Sequence, residues 1–164
     1  MTRTYSVIAD NITLVAAPVT IVSLRPNATV PIEVFEVRLG FSTNATSAMQ
    51  RVHLMTQVVG GAPVLTGVLP TPVNLGNTQA SSIVSGTSQA AGTAGVDATT
   101  ESSGAKTVKV ADAFNHLTGW VWVAPPDGGI ILPAGSGSAF ALFLPSTAAT
   151  LTGWNATVTF RELA

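Results

Sequence analysis

The chain has 164 residues, with seven Lys and Arg against eight Asp and Glu, for a formal net charge of -1. Charged residues make up 9% of it, against roughly 25% in an average soluble domain, so there is no basic stripe to hold a phosphate backbone and nucleic acid is excluded as a partner. There is no cysteine, hence no disulfide framework and no thiolate metal site.

The length predicts a single domain, 1–164, able to bury a core without staples. The start, Met1-Thr-Arg-Thr-Tyr5, lacks the pattern of a secretory signal. No run approaches the roughly 18 apolar residues of a membrane span, so no membrane partner is expected. Thr, Ser, Asn, Gly and Ala stand where surface charge is usual, which predicts that partner chains cover much of the surface.

Taken in order, short β-type runs are separated by Pro, Gly and Asn roughly every 7 to 12 residues. Tyr5 to Ala9 ends at a turn pair, Asp10-Asn11. Ile12 to Ala16 and Val19 to Leu24 follow, closed by Pro18 and by Arg25-Pro26-Asn27. Pro31 to Ser42 alternates apolar and polar, but the phase slips at Val34-Phe35, which predicts a bulge. Thr43 to Ala48 is read as one helical turn. Arg51 to Val59 reads as a strand with Val52, Leu54 and Thr56 on one face.

Residues 60–105 are expected to be a long polar excursion. Gly60, Gly61, Pro63, Pro70, Pro72, Gly76, Gly86, Gly92, Gly95 and Gly104 break every pattern, and from Ser81 to Ala105 nearly all is Ser, Thr, Ala and Gly. Its few large apolar residues cannot build a core alone. The expectation is that Leu65, Val68, Leu69, Val73, Leu75, Ile83 and Val84 bind a partner chain, whose contact orders the segment.

Strand patterns resume with Thr107 to Ala111. Trp120-Val-Trp-Val123 puts both tryptophans on one face and both valines on the other. Pro125-Pro126-Asp127-Gly128-Gly129 is a turn, and Ile130 to Leu132, Ser138 to Leu144 and Trp154 to Leu163 close the chain. The count is about eight to ten strands with no convincing helix. This is an all-β chain, an antiparallel two-sheet sandwich of jelly-roll type with one long irregular excursion. An immunoglobulin-like sandwich ranks second, for want of the Cys and Trp pattern.

The residues that carry chemistry elsewhere lack partners at useful spacing. His53 and His116 have no second ligand at metal spacing, so both are read as surface or interface histidines and no metal site is expected. Asp112 near His116 suggests a base with its orienter, but no nucleophile elbow accompanies them. Glu33 and Glu36, three apart on a strand, point to opposite faces unless the bulge intervenes, and Glu36 and Arg38 make an ordinary ion pair. Sequons at Asn11, Asn27, Asn44 and Asn155 are read as chance in so Asn- and Thr-rich a chain. No catalytic residue and no cofactor are expected. The tryptophans are either a core or subunit face or, as the alternative, a platform for a sugar.

The order of segments resembles small structural proteins of tailed bacteriophages, of the capsid-decoration (cement) type. The segments are Tyr5-Ser-Val7, Ile32-Glu-Val-Phe-Glu-Val-Arg-Leu-Gly40, Arg51-Val-His-Leu54 and Thr71-Pro-Val-Asn-Leu-Gly76. They continue with Ala111-Asp-Ala-Phe-Asn115, Leu132-Pro-Ala-Gly135, Leu151-Thr-Gly153 and Ala156-Thr-Val-Thr-Phe-Arg-Glu162. The resemblance covers most of the chain. It implies a virion protein, often trimeric, that binds the exterior of the capsid and reinforces it. The expected partners are sister subunits in a homotrimer and the major capsid protein. The expected location is the capsid surface, after synthesis in the host cytoplasm. The competing function is a carbohydrate-binding module of a phage fibre or tail, using Trp120, Trp122 or Trp154.

Overall fold

The computed structural model describes residues 3–43, 46–74, 76 and 78–163, and places them in thirteen strands and no helix. The strands are β1 (Arg3–Thr13), β2 (Val19–Leu24), β3 (Ile32–Phe41), β4 (Met49–Val58), β5 (Val64–Gly67), β6 (Thr71–Pro72) and β7 (Val84–Ser85). They continue with β8 (Thr93–Thr100), β9 (Lys106–Asn115), β10 (Trp120–Val123), β11 (Ile130–Leu132), β12 (Ser138–Leu144) and β13 (Thr152–Glu162).

Two sheets pack as a sandwich. Sheet I runs β10-β3-β13-β1-β6, with β11 sharing the β10 edge of β3. Sheet II runs β5-β8-β2-β12-β4-β9, with β7 also against β8. Every pairing is antiparallel except the two-residue contact of β7 with β8. The chain passes from sheet to sheet at β1, β2, β3 and β4, returns through β9 and β10, and closes with β12 and β13 between earlier strands.

Alternation builds the core. Tyr5, Val7 and Ala9 of β1, Val34, Val37 and Leu39 of β3, and Trp154, Ala156, Val158 and Phe160 of β13 face Val22, Leu24, Val52, Leu54, Phe140 and Leu142 of sheet II in one buried cluster. The bulge expected at Val34-Phe35 is present. β13 pairs Thr159 with Glu36 and Phe160 with Val34, leaving Phe35 as the extra residue. The Pro125–Gly128 turn also forms, closed by Gly128 N–H donating to the Pro125 carbonyl at 2.9 Å, with Asp127 at φ 59°.

Three local expectations are corrected. Asp10-Asn11 does not separate two strands. Asn11 adopts φ 49° within a register shift of β1, and its N–H donates to Asn155 Oδ1 at 2.8 Å, so the strand bends and continues to Thr13. The stretch read as a helical turn is irregular from Thr46 to Ala48, while Asn44 and Ala45 lie outside the described residues. The excursion forms strands β5 to β8, and β8 lies inside sheet II, which is why the total exceeds ten.

The glycines of 60–105 read from sequence as breakers, and several instead let backbones meet. A Cβ on Gly95 would lie 2.8 Å from both the Gly86 carbonyl oxygen and Leu65 Cβ, and one on Gly104 would lie 1.7 Å from the Val58 carbonyl oxygen. Two carboxylates also hold the segment. Glu101 accepts from the N–H and hydroxyl of Thr20. Buried Glu162, on β13, accepts from Ser81 Oγ at 2.9 Å and from the N–H and Oγ of Ser82 at 2.6 and 2.7 Å.

Candidate interaction surface

The excursion crosses the outer face of sheet II twice, at Gln89 between β7 and β8 and again at residues 101–105 on the return from β8 to β9. Gln89 Nε2 donates to Ser23 Oγ at 2.9 Å and to Gln57 Oε1 at 3.3 Å, and Gln57 Nε2 donates to the Ser102 carbonyl at 3.1 Å. Beneath it Met55, Ala141 and Phe143 form a second buried cluster, separate from the core because they alternate with the inward Leu54 and Leu142. The Lys106 ammonium sits 4.2 Å from the Phe143 ring centre. All six residues of β2 are therefore buried on both faces.

This placement divides the seven residues expected to bind a partner. Leu65 and Ile83 are buried in the chain's own core and Val68 packs against it, so none of the three is free for another chain. The segment is ordered largely by its own sandwich, contrary to the expectation that a neighbour must order it. The physical reason is that β8 pairs with β2 and brings Ala94, Val96 and Ala98 into the core, a contribution small residues conceal in a sequence. Leu69, Val73 and Val84 do stand exposed, at 62%, 55% and 52%. Leu75 lies outside the described residues.

Apart from Met49 and Val58 on β4, the exposed large apolar side chains among the described residues gather on two edges. Val64, Leu69, Val73 and Val84, with Ile8 of β1, lie along the edge made by β5, β6 and β7. Val108, Leu117, Val121, Val123 and Ile131 lie along the opposite edge, made by β9, β10 and β11. The first edge is built by a stretch with no Asp, Glu, Lys or Arg between Arg51 and Asp97. A cleft of about 520 Å³ opens beside it, between Val59–Val64 and Thr87–Ala90, with Arg25 at its wall. Arg25 is already engaged there, donating to the Gln89 and Ser136 carbonyls.

The other singled-out residues are dispersed. Glu33 and Glu36 share the outer face of sheet I because of the bulge, and each has its own arginine: Arg161 Nε lies 2.5 Å from Glu33 and Arg38 Nη2 lies 2.6 Å from Glu36. The Glu33 carboxylate, bonded to Arg161, raises that guanidinium's pKa above the usual range. Asp112 does not orient His116. It accepts from Trp120 Nε1 at 2.9 Å and from the Ala113 N–H, and these bonds hold its carboxyl below the ordinary range. His53 is half-buried on the outer face of β4, where desolvation and then Arg51 lower its pKa.

His116 is a correction, since it is neither a surface nor an interface residue. It is buried at 1% exposure among Phe41, Phe114 and Trp154. The signal available in the sequence was its position between Phe114 and the glycine turn. The Asp97 pKa is raised by burial, and its Oδ1 is buried without a partner among the described residues. Among the described residues no three His, Cys, Asp or Glu side chains are grouped to hold a metal ion, and no helix is long and apolar enough to cross a membrane.

Trp120 and Trp154 face the core, with Trp154 Nε1 donating to the Thr150 carbonyl at 2.8 Å, and Trp122 is half-buried against the same cluster. Of the sequon asparagines, Asn11 and Asn155 bond across the β1 bulge, Asn27 accepts from the N–H groups of Thr29 and Val30, and Asn44 lies outside the described residues. No protein-family model, curated protein or solved structure matches this chain.

Proposed function

We propose that the chain is a non-catalytic assembly protein of a virion, of the capsid-decoration type, which joins sister subunits and a capsid protein through its charge-free edge. The observation that carries this is the edge itself. Interface cores are depleted of charge and keep large apolar side chains, and here four exposed aliphatic residues stand on a surface whose sequence has no formal charge from Val52 to Val96. The strand order β1-β13-β3-β10 facing β2-β12-β4-β9 supports a jelly roll, a fold common in capsid proteins. The phage setting, the trimer and the location on the capsid surface rest on the resemblance of the sequence. The sugar-platform alternative loses support, because its tryptophans face inward.

Leu69→Lys combined with Val84→Lys tests the edge without touching the core. Light scattering on the purified protein should show an oligomer for the parent and a shift towards monomer for the variant, with an unchanged circular dichroism spectrum. A parent that is monomeric and also fails to bind empty shells would defeat the proposal. So would a variant that assembles and binds as the parent does.

A further inference from the structure

The turn from β9 to β10 carries a buried ionisable ring in an aromatic box. His116 stacks on Phe41 at a ring-centre distance of 5.1 Å and an interplanar angle of 12°. It meets Trp154 at 5.2 Å and 83°, and Phe114 at 6.1 Å. These rings come from the ends of β3, β13 and β9, so one side chain closes that end of the sandwich. Its backbone N–H donates to the Ala48 carbonyl at 3.1 Å, which ties the turn to the segment before β4.

Neither ring nitrogen has a hydrogen-bond partner among the described residues. In the neutral ring one nitrogen is a donor and the other an acceptor, and protonation makes both donors. No acceptor among the described residues would receive them. Among the charged side chains on the strands packed there, Asp10, Arg38 and Arg51 stand exposed on outer faces, and the Asp112 carboxylate is held by Trp120. The turn from Leu117 to Gly119 and the segment Thr46–Ala48 carry no charge. The face of Phe41 would attract an imidazolium, but that attraction is smaller than the hydration the ion gives up.

We infer that His116 is an acid-released clasp: the neutral ring closes the Phe41–Phe114–Trp154 end of the sandwich, and protonation opens it. The clasp operates within the single chain and does not depend on assembly. Burial lowers the His116 pKa from its ordinary 6.5, so the open form binds the proton more readily. The closed form is fully favoured above pH 6.5 and is lost as pH falls below that value. Opening by one proton strengthens by up to about tenfold per pH unit below it.

The test is an NMR titration of the full chain from pH 7.5 to 5.0, which lies above the ordinary carboxylate range, together with His116→Phe, His116→Leu and His53→Gln. In the parent and in His53→Gln, the Trp154 indole N–H resonance should shift or broaden reversibly on acidification. In the His116 variants it should stay in place, since no bond of the imidazole is lost. The two His116 variants guard against one failing to fold. A parent resonance that does not change down to pH 5.0, or a His116 variant that keeps the change, would overturn the inference.

Discussion

The outer faces of the two sheets end up in opposite conditions. Sheet II is roofed: Met55, Ala141 and Phe143 lie buried beneath the return of the excursion, and β2 is buried on both sides. Sheet I is bare: Ile8, Val121, Val123 and Ile131 stand about half or more exposed, spaced by the Glu36–Arg38 and Glu33–Arg161 pairs. The difference shows what a glycine-spaced segment with few charges can do. Thr20, Gln57 and Glu162 on the strands bond to its Glu101, Ser102, Ser81 and Ser82, and its Gln89 reaches Ser23, so it lies on an apolar surface with many of its polar groups paired.

The sharpest break of this contrast is to cut one apolar side chain on each face. Phe143→Ala should cost about 3 kcal/mol, as a cavity beneath the roof. Val121→Ala, on the bare face, should stay within about 0.5 kcal/mol. Urea unfolding of dilute protein measures both, and similar losses would mean that the roof buries little. Next comes Gly104→Ala, which forces backbone apart where the roof meets β4 and should cost about 2 kcal/mol by over-packing. An unchanged urea midpoint would show that the close approach is not needed. A smaller loss than for Phe143→Ala or Gly104→Ala, about 1 kcal/mol, is expected from Glu162→Gln, which keeps the shape but weakens three charge-assisted bonds. Limited proteolysis should then cut near Ser81–Ser82 faster than in the parent. An equal rate of cutting would show that Glu162 does not hold that loop.

Much of the sandwich was legible because strand periodicity is strong where large residues alternate. β3 with its bulge, β10, β12 and β13 all follow from that pattern. The excursion was misread because its partner-facing residues are small. Ala94, Gly95 and Val96 fill a sheet position without making a hydrophobic run, and Gly104 resembles a loop residue until Val58 lies against it. The bend at Asn11 was hidden for a related reason, since Asn155, its partner, is 144 positions away. His116 was legible as a residue without ligand partners but not as a buried one, because Phe41, Phe114 and Trp154 meet only after three strands are in place. Of the exposed edge, Leu69, Val73 and Val84 could be read from sequence, while the facing edge at Val121, Val123 and Ile131 needed the sheet order.

The position of β13 has a consequence for how the molecule comes into being. This last strand lies between β3 and β1 and pairs with both along nearly its whole length, from Trp154 beside Phe41 to Glu162 beside Arg3. Sheet I therefore cannot close while residues 152–162 are still unsynthesised, and β1 must wait until they are made. Pairings of such long sequence separation form slowly, and the unpaired margins of β1 and β3 are open meanwhile to any other extended chain. Folding of this sandwich should therefore wait until residues 152–162 have been made, and a chaperone that shields strands would act on it longest just before they emerge.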